Sequence, residues 1–340
     1  MRVFSVPVSV TFLRTVIAAL VDGQLVDGFE ARTDPAKLAQ ATLYLPTRRA
    51  GRMAREIFLE VLNIDAVVLP RIIALGDIDE DELAFAEQAE SYGGAAPLDI
   101  PPKLSEIDRR LTLAKLVAAW AKSPVSAPLV VGGPASTLAL AGDLARLMDD
   151  MVTRGVGWEA LDGLVPDQLD KYWQHSLEFL QIARQAWPAH LEEIQKIEPA
   201  TRRDRLIEAE AARLIAHHDG PMIAAGSTGS MPATAKFLHA VSALPQGAVV
   251  LPGLDTDLDD EAWQLIGGIR NAQGKFTTPP ASNHPQSAMH GLLHRFGIKR
   301  GDVEILGTPA PRGRDVLVSE AMRPSNATAQ WHRRLAQPEI

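Results

Sequence analysis

Short apolar runs alternate with amphipathic stretches through the first third of the chain. The spacing predicts strands over 3–6, 42–46 ("TLYLP") and 66–70 ("AVVLP"), with helices over 11–22 and 48–62 between them. Brief apolar runs joined by segments of helical period are what parallel strands and their crossovers produce. The texture changes after the loose stretch "ESYGGAAPLDIPP" (90–102). From 104 to 218 the pattern is helical, in "LSEIDRRLTLAKLVAAWA", "ASTLALAGDLARLMDDMVTRG", "WQHSLEFLQIARQAWPAHLEEIQ" and "TRRDRLIEAEAARLIAHH". In the second of these, Leu140, Leu144, Leu147 and Met151 recur as a core-facing stripe, which leaves Asp149 and Asp150 on other faces. Alternation returns at Pro221 with "PMIAAG", a helix over 231–243, the strand "GAVVLPG" (247–253), a helix near 286–296 and the strand "DVEILG" (302–307). Residues 268–285 read as a long exposed loop.

This pattern predicts an α/β fold in which a parallel sheet domain leaves to build a helical insertion and then resumes. The expected divisions are 1–103, 104–218 and 219–310, followed by a C-terminal segment over 311–340. At 340 residues the chain is long enough for two lobes, and 46% hydrophobic with 22% charged residues is a globular composition. The start, "MRVFSVPVSVTFLRTVIAALVDG", is apolar, but Arg14 interrupts it and Pro7 sits early, so it reads as a strand and a helix rather than a leader. No segment has the apolar length of a membrane span, and the expected location is the cytoplasm.

Composition narrows the chemistry. The absence of cysteine excludes disulfides, thiolate metal sites and cysteine nucleophiles in this chain. A net charge of −8 argues against indiscriminate coating of nucleic acid while leaving room for a local basic stripe. A phosphate loop needs G-x-x-x-x-G-K-[ST], so that backbone amides cradle the phosphates and Lys reaches them. In "AAGSTGSMPATAK", Gly226 and Gly229 are too close together and Lys236 comes too late; a tight turn with Ser227, Thr228 or Ser230 capping the helix fits better. The first strand is followed by "PVSVTFLRT", which holds neither glycine nor lysine.

Asp77, Asp79, Glu80, Asp81 and Glu82 in "GDIDEDEL" superficially mimic a magnesium-binding acid pair, but without a phosphate loop such a pair has nothing to serve, and a solvated acidic turn and helix start explains them better. "DTDLDDEAW" places Asp255, Asp257 and Asp259 as a calcium loop would, yet Asp260 and Ile266 stand where Gly and Glu are required. The adjacent His217 and His218 cannot share a metal and suit a helix C-terminus. The most informative element is "LPTRRAGRMAREIFLE". Thr47 precedes a helix on which Arg48, Arg52 and Arg55 share a face with Arg49 nearby, while Met53, Ile57 and Phe58 are expected to point to the core. It reads either as a solvated face or as a phosphate-backbone clamp.

Five long segments, "LYLPTRRAGRMAREIFLE", "LPRIIALGDIDEDEL", "WQHSLEFLQIARQAWPAHLEE", "MIAAGSTGSMPATAKFLHAVSALPQGAVVLPGLD" and "HPQSAMHGLLHRFGIKRGDVEILG", together resemble the N-terminal region of the AddB family, of alphaproteobacterial type. The resemblance runs along nearly the whole chain. It implies a superfamily 1 helicase-like fold: a RecA-like parallel sheet of the P-loop NTPase kind, flanked by helices, with an all-helical insertion. It also implies that the ATP apparatus is lost, with Pro7, Val8, Ser9 and Thr15 at the phosphate-loop position and Ala225 and Gly226 in place of the acid pair. That reading requires the strand ending at Ala225 to lie beside the one ending at Val6. Thr47, Arg48 and Arg49 resemble a helicase element that touches single-stranded DNA. Family members are longer and end in a nuclease domain, so the chain is expected to be an N-terminal piece without enzymatic activity or cofactor.

The implied role is a non-catalytic, DNA-contacting scaffold in double-strand break repair, partnered by the AddA helicase-nuclease and weakly by single-stranded DNA through Thr47, Arg48, Arg49, Arg52 and Arg55. Two rivals remain: a residual ATPase using "GDIDEDEL" and "GSTGS", or a purely protein-docking module.

Overall fold

The computed structural model describes residues 1–76, 100–122, 133–161, 170–309, 313–329 and 331–334. Its strands are β1 (Val3–Val6), β2 (Thr42–Leu45), β3 (Arg71–Ala74), β4 (Met222–Ala225), β5 (Gly247–Pro252), β6 (Ile269–Arg270), β7 (Phe276–Thr278) and β8 (Glu304–Ile305). Six of them form one sheet in the order β3-β2-β4-β5-β1-β8, and every pairing in it is parallel. With α1 (Phe12–Val21) and α2 (Arg48–Leu62) among the helices that flank it, the sheet gives the RecA-like α/β architecture.

The strands carry almost no polar alternation because both faces are covered, as parallel sheets require. Alternation instead divides each strand between two cores. Phe4, Val6, Leu43, Leu45, Ile223, Ala225, Ala248 and Val250 bury against α1 and α2. Val3, Tyr44, Met222, Ala224, Val249 and Leu251 join the core on the opposite face.

The chain divides into two compact units, Met1–Ala95 with Ile207–Ile340, and Ala96–Leu206. The second unit contains α3 (Glu106–Ala121), α4 (Pro134–Arg154), α5 (Asp170–Gln181) and α6 (Trp187–Glu193), and α7 (Pro199–Ala216) starts in it and ends in the first. The return to the sheet unit thus falls inside a helix rather than at the expected boundary near 218, since Ile207, Ala211 and Leu214 bury in a sheet core. The first unit continues with α8 (Pro232–Ala243), α9 (Asp260–Gly267), α10 (Ser287–Phe296), α11 (Arg314–Ala321) and the short α12 (Trp331–Arg334). The segment after 311 is therefore not a mere tail: Arg323 is buried and pairs with Glu320 and, at 2.8 Å, with Asp259 at the start of α9.

Several expectations are corrected. The third strand is Arg71–Ala74, not 66–70. Pro70 has no N–H to donate, whereas Arg71 N–H donates to Ala41 O at 3.0 Å and starts the ladder. The loop over 268–285 contains an antiparallel hairpin, β6 with β7. The third predicted helix is broken by a π-helical turn at Ile182–Ala186; Pro188 lacks the N–H that would reach Arg184 O, so the turn widens there. Asp149 lies off the buried stripe of α4, as expected, and is held there by a residue of another helix. Arg109, buried in the second unit, holds it through two hydrogen bonds of 2.9 and 2.8 Å. Arg109 Nε also lies 2.9 Å from Glu198, whose carboxyl is pushed up by burial against the pull of Arg109.

In the sheet unit, Tyr44 O–H donates to Glu210 at 2.6 Å, and Arg213 donates to both oxygens of the same carboxylate at 2.8 and 2.9 Å. Burial alone would raise the Glu210 pKa, but Arg213 and the Tyr44 hydroxyl more than offset it and hold it below the ordinary value. A carboxylate depressed on folding contributes stability that is present above its unfolded pKa and lost as pH falls through the folded value. Glu210→Gln should therefore cost about 1–3 kcal/mol at neutral pH. It should also flatten the acid limb of stability against pH, as read from urea midpoints between neutrality and pH 3.

Candidate functional site

All six strands of the sheet point their carboxyl ends to the same edge. The chain leaves β1 over the face carrying α1 and α2, but leaves β5 over the face carrying α9 and α10. Since β1 and β5 are neighbours, the crevice beyond Val6 and Pro252 is the switch point where ligands of open α/β sheets bind. The β1–α1 connection crosses this crevice in only five residues, Pro7–Thr11.

That connection carries side chains in place of glycine, with Val8 seated over one glycine while remaining 70% exposed. Gly253, just past β5, has φ 64°, and a Cβ there would stand 2.5 Å from Val8 Cγ1, so the valine rests on bare backbone. Gly226, just past β4, has φ 84°, and its missing Cβ would stand 3.1 Å from the Phe12 ring and 3.3 Å from Pro46. Pro7 and Val8 therefore lie beside the end of β5 and Ser9 is exposed, while the Phe12 ring lies against Gly226. Thr15 Oγ1 donates to Thr11 O at 3.0 Å within α1.

The requirement that the strand ending at Ala225 adjoin the one ending at Val6 is not met. β5 stands between them, and the two carboxyl ends are about 9–10 Å apart at two strand spacings. The physical reason is that "GAVVLP" is the longest strand of this sheet, with Ala248 to Leu251 fully buried, and it takes a central position paired on both sides. The Gly226–Gly229 turn also differs in detail from expectation. The N-cap of α8 is Met231 without a side-chain cap, and Ser227 Oγ instead accepts from Gly229 N–H at 3.3 Å.

The arginine element takes the predicted helix. Thr47 caps α2 by accepting from Ala50 N–H at 3.1 Å, and Arg48, Arg49, Arg52 and Arg55 are all exposed. Phe58 is fully buried and Ile57 packs beside it, but Met53 is 47% exposed and lies among the arginines rather than in the core. No acidic residue occupies the first turn. Two arginines there oppose the positive end of the helix dipole, an arrangement that local stability does not explain. Arg49, Arg52 and Arg55 form no ion pair among the described residues, whereas Arg48 is engaged.

The remaining motifs resolve into structure. Asp255 Oδ1 accepts from the backbone N–H groups of Asp257 and Leu258 at 2.9 and 3.0 Å, and Asp259 caps α9 through Ala262 N–H. His218 Nδ1 meets Leu214 O at 3.1 Å near the end of α7. Asp77, Asp79, Glu80, Asp81 and Glu82 lie outside the described residues. Among the described residues no cluster of His, Cys, Asp and Glu is arranged to hold a metal, and no helix is long and apolar enough to cross a membrane.

One feature of this edge was not foreseen in the sequence. A cleft of about 690 Å³ opens beside Pro7 and Val8, bounded by the residues after β5, the approach to α10 and one face of α11. Its residues come from five separate segments, so only the "GLDTD" turn gave a local signal. A search of protein-family models and a search of curated proteins both return no match to this chain.

The close approach at Gly226 is directly testable. A Cβ there meets both a left-handed backbone and the Phe12 ring, so Gly226→Ala should destabilise the fold by about 1–2 kcal/mol. A urea midpoint equal to that of the parent chain would contradict this account of the turn.

Proposed function

We propose that the sheet unit is a RecA-like module that contacts single-stranded DNA through α2 without using a nucleotide. The observation that carries the reading is the exposed, unpaired run Arg49, Arg52 and Arg55 at a helix start, on a chain of net charge −8. Cations held along one side of a helix gain affinity for phosphates by releasing counterions, which requires neither a basic protein nor base-specific contacts. The packing of Val8 on Gly253 and Phe12 on Gly226 supports the nucleotide-independent part, because the amides of a phosphate loop must be open to their ligand. With the five-segment resemblance, this supports a cytoplasmic, AddB-type scaffold working beside an AddA-type helicase-nuclease in double-strand break repair.

Labelled single-stranded DNA titrated at several salt concentrations tests the contact. The Arg49→Ala/Arg52→Ala/Arg55→Ala variant should bind more weakly and reduce the slope of log K against log salt by about 2, as expected for three lost phosphate contacts. An unchanged slope would exclude α2 as the contact and favour protein docking. Calorimetry with ATP and magnesium should show no saturable heat; saturable binding would restore the residual ATPase reading.

A further inference from the structure

We propose that the cleft at the carboxyl edge of β1, β5 and β8 binds an organic cation that also carries a carbonyl-type acceptor, the chemistry of arginine, free or within a polypeptide. The cleft, about 690 Å³, falls within the range of small-ligand sites and lies at the topological switch point. Its position is that of a nucleotide site, but its chemistry is the opposite of one. Asp255 and Asp315 line it together with Asp257, which is already engaged, and neither Arg nor Lys lines it among the described residues. Anionic phosphates would meet carboxylates there, so the field selects a cation.

Two buried polar atoms point to a ligand independently of the acids. Ser319 is only 6% exposed, and its Oγ has no hydrogen-bond partner. It shares with Asp315, Val318 and Met322 the face of α11 that lines the cleft, at the spacing of adjacent helical turns. A hydroxyl buried without a partner destabilises a fold, so a ligand N–H that it could accept explains its retention. His284 supplies the complementary demand. Gln286 N–H donates to His284 Nδ1 at 3.1 Å, which places the ring proton on Nε2, and that buried donor also has no partner.

The cleft thus presents carboxylates and a hydroxyl to a cationic head and one N–H donor to an acceptor elsewhere on the same ligand. Val8, Leu254, Val318 and Met322 offer apolar surface to an aliphatic stem between them. Asp255 Oδ1 is occupied by its own turn, which leaves Asp315, half-buried in the first turn of α11, as the clearest partner for the cation.

Calorimetry and thermal shift on the full chain, with N-acetyl-L-arginine methylamide, free L-arginine and agmatine as probes, test this. Saturable binding is expected for one or both arginine forms, with agmatine weaker because it lacks the acceptor for His284. Binding by the capped form alone identifies a polypeptide side chain as the source, and equal binding by free arginine identifies a small molecule. Asp315→Asn should lower the affinity roughly tenfold. Ser319→Ala should lower affinity while raising the melting temperature of the unliganded chain, a combination that a purely structural serine would not produce. The proposal is overturned if neither arginine form binds saturably, if agmatine matches them, or if Asp315→Asn leaves affinity unchanged.

Discussion

A parallel sheet must be covered on both faces, and the rest of this structure follows from that constraint. Central strands such as β4 and β5 are buried along nearly their whole length, so their residues feed two cores in alternation. Covering both faces obliges the chain to cross over one face after β1 and the other after β5. The crossovers part between those two neighbouring strands and leave a crevice at their carboxyl ends. Both the β1–α1 plug and the acidic cleft sit at that edge.

What fills the edge decides what it can do. In a phosphate-binding sheet the first connection is rich in glycine and wraps its amides around the ligand. Here the glycines are on the other strands' connections, at Gly226 and Gly253, while the bulky Val8 is on the first and Phe12 opens the helix that follows it. Close approach of chain segments is preserved, but with side chain and bare backbone exchanged. The cradle becomes a contact between side chain and backbone, and acidic residues follow β5 at the remaining opening. The arginines of α2, which follows β2 at the same edge, are held outward by a buried Phe58 on the other side of their helix.

Buried ionic groups stabilise each unit from within. Glu210 ties β2 to α7 through Tyr44, so a helix that begins in the other unit ends anchored to the sheet. Arg109, Asp149 and Glu198 serve the helical unit in the same way, a charge held between carboxylates amid Leu113, Leu144 and Trp187. The hydrogen bonds to Glu210 and from Arg109 to Asp149 matter more than the charges, because a buried ion without them would cost more than it returns. Arg109 Nε and Glu198, by contrast, meet as an ion pair only.

The strands β1, β2, β4 and β5, the Thr47-capped helix and the helical block were legible in the sequence because each depends on local periodicity and on turn or capping residues close by. The strand at Arg71–Ala74 was displaced from the expected run because a donor missing at Pro70 matters only once a neighbouring strand is present. Met53 looked like a core residue from hydrophobicity alone; the turn of α2 against the sheet put it outside. Strand order, the insertion of β5 between β4 and β1, and the meeting of Asp315, Ser319 and His284 in one cleft involve residues far apart in the chain. The sequence alone determined which segments would be strands or helices and where cations would line a helix, since those are properties of neighbours along the chain. Only the tertiary structure decided which edges meet, because pairing and burial are settled between segments that no local pattern connects.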